Sequence, residues 1–282
     1  MNKVLFFFLF LSASLTAKAP KEIFRQNFYL FPCPVYGIGS PGMFSVFCSV
    51  LGFLETYGEK QEIGYAIDFE KKGLYYQQDK GPNWWEYYFE PLVKGNRKGS
   101  REHLISVQEQ HSWGLKTRTM SRERAAALIA KHIRIKEPIR RKLDAFIEEN
   151  FRGFTVIGIH YRGTDKNTEA PRVPYERIFE EIDRVTEQCA AEPYKLFIAT
   201  DEKQFLDASI KRYGNRVIFL PAIRSLDGSP VHTARGRGYQ KGEEALLDCL
   251  LLAHTDILIR TLSNLSLISL FFNPELPELL IQ

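Results

Sequence analysis

From Thr155 onward the sequence alternates short apolar, β-branched runs with stretches of helical periodicity. Strict alternation of this kind leaves room for little except a parallel sheet covered by helices on both faces. TVIGIHY (155–161) predicts a strand, and the segment from Val173 to Ala191 a helix with Ile178, Ile182, Val185 and Cys189 on one face. YKLFIAT (194–200) predicts the next strand, Glu202 to Tyr213 a helix stopped by Gly214, and RVIFLP (216–221) a third strand. The series continues with an apolar helix from Gly242 to His254, a strand over DILIRT (256–261), a helix from Leu265 to Phe272 and a last strand within LPELLI (276–281).

The first half is less regular. It offers a glycine-rich loop at 37–42, a helix from about Met43 to Glu59, an aromatic segment and a basic helical stretch from Ser121 to Asn150. No low-complexity linker intervenes, which places a domain boundary near Asn150 and predicts two α/β domains, 20–150 and 151–282, facing each other across a cleft. At 282 residues and 44% apolar the chain is long enough for both.

The 38 basic and 34 acidic side chains are interspersed without a basic block, which argues against a nucleic-acid surface. Residues 1–19 read as a secretory signal or an N-terminal anchor: Lys3, an apolar run from Val4 to Leu15, then A17-K-A19. Either reading places the body of the protein outside the cytosol. The cysteines, Cys33, Cys48, Cys189 and Cys249, have no metal-ligand spacing; a Cys33 to Cys48 disulfide and four buried thiols are the alternatives.

In open parallel sheets, ligands bind beyond the carboxyl ends of the strands. Here those ends carry H160-Y-R162, T200-D201-E202 and T261-L-S263-N264. Strand ends are polar in any case, since loops are solvated. Three ends that together offer a cation, carboxylates and a hydroxyl and amide are more specific. His160 and Arg162 fall on one side of their strand, and arginine supplies a permanent, forked cation suited to phosphate. Ser263 and Asn264 open a helix, as an anion site or as a simple cap.

Asp248 is anomalous in another way, because it sits inside the apolar helix ALLDCLLLA (245–253). A carboxylate there is costly unless paired. A buried salt bridge would explain it, and so would a ligand such as guanine, which offers two parallel donors. No D-x-D occurs, so a nucleotide diphosphate would depend on cationic side chains rather than a bridging divalent ion.

Three further segments are weaker signals. G37-I-G-S-P-G42 fits a dinucleotide fingerprint literally but lacks a preceding β-branched strand and is better read as a loop feeding the helix at Met43. W84-W-E-Y-Y-F89 is a sugar platform or core, and R235-G-R-G-Y239 a cationic lid or a solvated loop.

The ordered set H160-Y-R-G-T-D-K166 with Glu169, then A199-T-D-E202, then L246-L-D-C with T261-L-S-N264, resembles the motif regions of the α1,6-fucosyltransferases and nodulation-factor fucosyltransferases, and more loosely the protein O-fucosyltransferases. The likeness covers about residues 154–272. It implies a GT-B-like fold of two facing α/β domains, with a C-terminal Rossmann-like nucleotide-sugar-binding domain and an acceptor side in the first half. It further implies an inverting transfer from GDP-fucose to a glycan or glycoconjugate hydroxyl, with no metal or other cofactor. By the same resemblance Arg162 holds the β-phosphate, His160 contributes through ring or backbone, and Asp248 reads guanine. Ser263 and Asn264 lie against the diphosphate, Asp201 and Glu202 near the sugar, and Lys166 and Glu169 near the reacting centre, with Asp165 an alternative to Glu169 as base. Gly163 stands where the α1,6 enzymes carry a second arginine, with Lys166, Arg235 and Arg237 as candidate substitutes. One residue is missing between Lys166 and Glu169 relative to those enzymes.

Two other functions compete: a transferase of this architecture that uses another nucleotide sugar, and an exported glycan-binding protein without chemistry. Because nucleotide sugars are scarce outside the cytosol, the signal-like start fits a secretory lumen or a membrane-attached enzyme better than the periplasm. The sequon N264-L-S266 lies inside the proposed site.

Overall fold

A computed structural model describes residues 26–34, 41–164, 172–188, 193–229 and 236–282. The signal-like segment 1–19, Gly37 to Ser40 of the glycine loop, and residues 165–171, with Lys166 and Glu169, lie outside the described residues.

The first half runs β1 (Asn27–Pro32), α1 (Met43–Tyr57), β2 (Ile63–Asp68), α2 (Trp85–Tyr88), β3 (Val93–Lys94), β4 (Arg101–Leu104), α3 (Val107–Thr117), α4 (Arg122–His132) and α5 (Glu137–Asn150). Its sheet has the order β3-β2-β1-β4, with β2 and β4 parallel to β1 and β3 antiparallel to β2. Local sequence sets most boundaries. Ser106 and Glu109 form a reciprocal capping box at α3, and Ser121 caps α4. The basic stretch from Ser121 to Asn150 is two helices rather than one. Pro138 sits in the first turn of α5, where its missing N–H costs nothing, and Ile135 bridges to Phe89 before it. WWEYYF (84–89) is core: Trp84, Trp85, Tyr88 and Phe89 are buried.

The second half runs β5 (Thr155–Tyr161), α6 (Tyr175–Gln188), β6 (Tyr194–Thr200), α7 (Lys203–Tyr213), β7 (Val217–Ile218), α8 (Gly238–Ala253), β8 (Ile257–Thr261), α9 (Asn264–Phe272) and β9 (Glu278–Ile281). All five strands are parallel, in the order β7-β6-β5-β8-β9. The α/β class and the Rossmann-like second sheet are therefore as the alternation required. β5 and β6 have the ends read from sequence, whereas β7 is cut to two residues. Beyond it, the carbonyls of Leu220 and Ala222 accept hydrogen bonds from the Arg224 guanidinium. α8 begins one turn earlier than Gly242, and that glycine is a packing residue inside the helix: a Cβ there would lie 2.2 Å from the Tyr88 hydroxyl.

One apolar cluster runs from Phe31, Phe47 and Leu51 of the first half to Leu246, Leu250 and Phe271 of the second. Polar links cross at the same place. Glu278 pairs with both Arg260 of β8 and Arg122 of α4, and Lys142 of α5 meets Glu243 of α8 at 2.6 Å. Cys33, Cys48 and Cys249 are buried free thiols, so the Cys33 to Cys48 disulfide expected as one alternative is not formed. Burial pushes their thiols up, Cys33 to about 11 and Cys48 to about 12. Among the described residues no helix is long and apolar enough to cross a membrane.

Candidate nucleotide-sugar site

The strand order reverses between β5, whose chain continues to β6 on one side, and β8 on the other. A crevice opens beyond such a switch point because the loops there leave in opposite directions. Tyr75, His160, Arg162, Asp201, Lys241 and Asp248 all contribute to its walls. His160 and Arg162 alternate onto the same side of β5, as their spacing predicted, and both line the crevice.

Arg162 is held from two directions. Its backbone N–H donates to Thr261 Oγ1 of β8 at 2.9 Å, and its Nη1 lies 3.0 Å from Asp201 Oδ2. Asp201 also accepts from the Gly163 N–H at 3.0 Å and from Thr164 Oγ1 at 2.5 Å. One carboxylate thus gathers three consecutive residues of the β5 exit loop and aims the guanidinium. Asp201 lines the crevice, but its oxygens are committed to this loop. Its visible work is positioning Arg162.

Asp248 enters from α8. Its Oδ1 is buried and has no hydrogen-bond partner among the described residues. The salt-bridge explanation fails on geometry. Arg224 lies close enough for its charge to favour the ionised form, but its Nη groups donate to the carbonyls of Leu220 and Ala222. Desolvation outweighs that attraction and raises the Asp248 pKa from 3.8 to about 7. A buried acceptor left without a partner costs free energy, and a ligand donor would recover it.

Lys241 escaped the sequence reading, although the signal was present. Positions 241, 244, 245 and 248 follow the helical i, i+3, i+4, i+7 pattern, and all four line the crevice. Lys241 is buried, and desolvation lowers its pKa. Tyr75 was also missed. Its hydroxyl accepts from the Met43 N–H at the start of α1 (2.9 Å), a long-range contact with no local signature.

Other expected residues are placed differently. Ser263 caps α9, accepting from the Leu265 N–H at 3.2 Å, and Asn264 Nδ2 donates to Ser45 Oγ of α1 at 2.9 Å. It is Leu265 that lines the crevice from this helix. Glu202 is buried beside the β5 exit loop, with Oε1 2.6 Å from Arg172 Nη2 and Oε2 without a partner among the described residues. Ser266 of the sequon is fully buried. Arg235 lies outside the described residues. Arg237 is exposed, with φ of 51°, and Tyr239 stacks on Tyr88 at 5.7 Å, so the second part of that segment begins α8 rather than forming a loose loop.

The reason for Gly163 is steric. A Cβ at this position would lie 2.0 Å from Glu202 Oε2 and 2.9 Å from Tyr161 Cε1. Gly163→Ala is expected to destabilise the fold by about 1–3 kcal/mol, measured by urea unfolding, because Glu202 is buried and tethered to Arg172. Adding Glu202→Ala should return most of that loss. An unchanged midpoint in the single variant would show that Glu202 moves aside freely.

The family model described as nodulation protein Z matches residues 119–273, from the start of α4 through α9. The chain belongs to the nodulation protein Z family. Two relatives of that name, from Sinorhizobium fredii and Bradyrhizobium diazoefficiens, are 24% and 26% identical over 146 and 140 residues, 49% and 47% of this chain. The matched stretches span 45% and 38% of those relatives, less than half of either. The fold is similar over more of the chain. A NodZ α-1,6-fucosyltransferase co-crystallized with GDP superposes with a TM-score of 0.56 at 17% identity, covering 91% of this chain and 95% of that one. One soaked with GDP-fucose gives 0.55 at 19% identity, covering 88% and 93%. In this nodulation protein Z relative the second half from β5 through α9, with every crevice residue named above except Tyr75, lies inside the matched segment.

Proposed function

We propose that this protein transfers fucose from GDP-fucose to a hydroxyl of a glycan or glycoconjugate, with inversion and without a metal ion. The observation that carries the reading is the presence, in one crevice at the switch point, of both Arg162 and the buried Oδ1 of Asp248, which has no hydrogen-bond partner among the described residues. An ionised Asp248 can accept from guanine N1–H and the amino group together, which neither adenine nor uracil can offer. Arg162 then faces the diphosphate, where negative charge grows as the C1–O bond to GDP breaks. The acceptor oxygen attacks C1 from the opposite face, and its proton passes to a carboxylate for which Glu169 and Asp165 are the candidates. The absence of D-x-D from the sequence supports cationic side chains, rather than a bridging divalent ion, as the groups that neutralise that charge. Residues 20–150 would present the acceptor. The family name and the GDP and GDP-fucose complexes of the similar structures support the donor assignment. The location would be an exported or membrane-associated one, through residues 1–19.

A donor panel tests the base. GDP should raise the melting temperature and UDP should not, because only guanine matches Asp248. Stabilisation by UDP alone would reject the guanine role, and release of GDP from GDP-fucose in the presence of glycan acceptors would establish the transfer.

A further inference from the structure

We propose that Arg224 is a positioning residue for guanine: standing behind the crevice wall, it favours the ionised, donor-accepting form of Asp248 without hydrogen-bonding to it. The inference rests on the reading that Asp248 takes guanine. The wall is the segment beyond β7. Ala222 and Ile223 line the crevice, and with Glu244 they also line a groove on the far side, where Arg224 and Phe219 lie. The Arg224 guanidinium lies over the Phe219 ring at 5.3 Å and donates to the carbonyls of Leu220 (2.9 Å) and Ala222 (3.1 Å). The wall is fastened at two further points: the Ile223 N–H donates to Glu244 at 3.1 Å and the Ser225 N–H to the Asp201 carbonyl at 2.8 Å.

A cation fixed in this way does something an ion pair could not. Had Arg224 bridged to Asp248, the carboxylate lone pairs would be occupied by the guanidinium and closed to a ligand. Held on two carbonyls, the guanidinium favours the charged carboxylate through space, while Oδ1 has no hydrogen-bond partner among the described residues. The other titratable groups at the crevice are Tyr75 of the first half, His160 and Arg162 of β5, Asp201 beyond β6, and Lys241 and Glu244 of α8. Arg162 is turned to Asp201; Glu244, which opposes ionisation of Asp248, accepts from Ile223. α9 brings Leu265 to the crevice, and Cys249, next to Asp248, lies against Ser269 of that helix. α5 meets α8 through Lys142, which pairs with Glu243. Arg224 is thus the charge that opposes the effect of burial on Asp248.

The test is the pH profile of guanosine binding, by calorimetry on the full chain from about pH 5.5 to 8.5, for the unmodified protein, Arg224→Met and Arg224→Lys. Removing the charge should move the profile of Arg224→Met upward by about one unit, so that guanosine binds about tenfold more weakly at pH 6 and within about twofold of the unmodified protein at pH 8.5. Arg224→Lys, which keeps the charge and gives up the fork, should leave the profile near its original position. In an Asp248→Asn background Arg224→Met should shift nothing. An unmoved profile would overturn the proposal. So would a loss of the same size at every pH, which would mean that Arg224 only braces the wall. Should Arg224→Met not fold, Arg224→Gln, whose amide can still donate to a carbonyl, carries the same comparison. If the unmodified protein binds no guanosine, the guanine reading fails and unfolding decides Arg224. The loss of stability as pH rises through the Asp248 titration should then extend about one unit further in Arg224→Met. An unchanged pH dependence of unfolding would overturn the role of Arg224 as well.

Discussion

Arg162→Ala is expected to lower the rate of GDP release from GDP-fucose, in the presence of acceptor, by roughly 10²-fold or more. The guanidinium is the strand-end cation of the crevice, tied by its own backbone to Thr261 and by its side chain to Asp201. Charge that develops on a departing diphosphate is met by a donor already in place, so its removal should act on kcat more than on KM. Arg162→Lys keeps the charge but not the two-point fork, and should recover part of the rate. Loss of the Asp201 pair should matter little for folding, because that carboxylate keeps its bonds to Gly163 and Thr164. Full transfer activity in Arg162→Ala would remove Arg162 from the chemistry and leave it a loop anchor.

The second large effect concerns Asp248 and has opposite signs for folding and for binding. Burial raises its carboxyl to about 7, above the ordinary value it regains when unfolded. The unfolded chain therefore loses this proton first. The group's contribution to stability is fully present below about pH 4 and is lost as pH rises through 7, at about 1.4 kcal/mol per unit in between. Guanine needs the ionised form, so guanosine affinity should climb about tenfold per unit toward pH 7 and level off above it. Guanosine is the better probe than GDP because its own charge is constant over this range. Asp248→Asn should flatten both profiles, raise the unfolding midpoint at pH 8, and weaken guanosine by 10²-fold or so, since the amide brings donors to face donors. A guanosine affinity independent of pH in the unmodified protein would show that Asp248 does not touch the base.

These two residues also mark how far the sequence reached. The period-2 pattern that put His160 and Arg162 on one side of β5 survived folding because a strand leaves no freedom in the alternation of its side chains. Asp248 was conspicuous because a carboxylate among leucines is costly anywhere. Lys241 lay on the same helical face but drew no attention, because its neighbours Gln240, Gly242, Glu243 and Glu244 are polar or small, and only burial distinguishes it from a solvated lysine. The sequence reading began this helix at Gly242, one turn late, and both Gly238 and Gly242 belong to it. Their missing Cβ atoms let α8 pack against Tyr75 and Tyr88, more than 150 residues away in sequence.

The sequence by itself determined the parallel second sheet, the order of its elements and the identity of the groups at its strand ends. Those follow from periodicity and from the cost of burying charge, both of which act within a few residues. Tertiary structure decided what each group does. Only the folded chain shows that Asp201 is occupied by the Arg162 loop, that Asn264 turns to Ser45, and that Glu202 excludes a side chain at position 163. It also leaves Asp248 Oδ1 without a hydrogen-bond partner among the described residues, near an arginine that serves two carbonyls. Hydrogen-bond partners far apart in sequence are chosen by packing, and the alternation of strands and helices does not encode that choice.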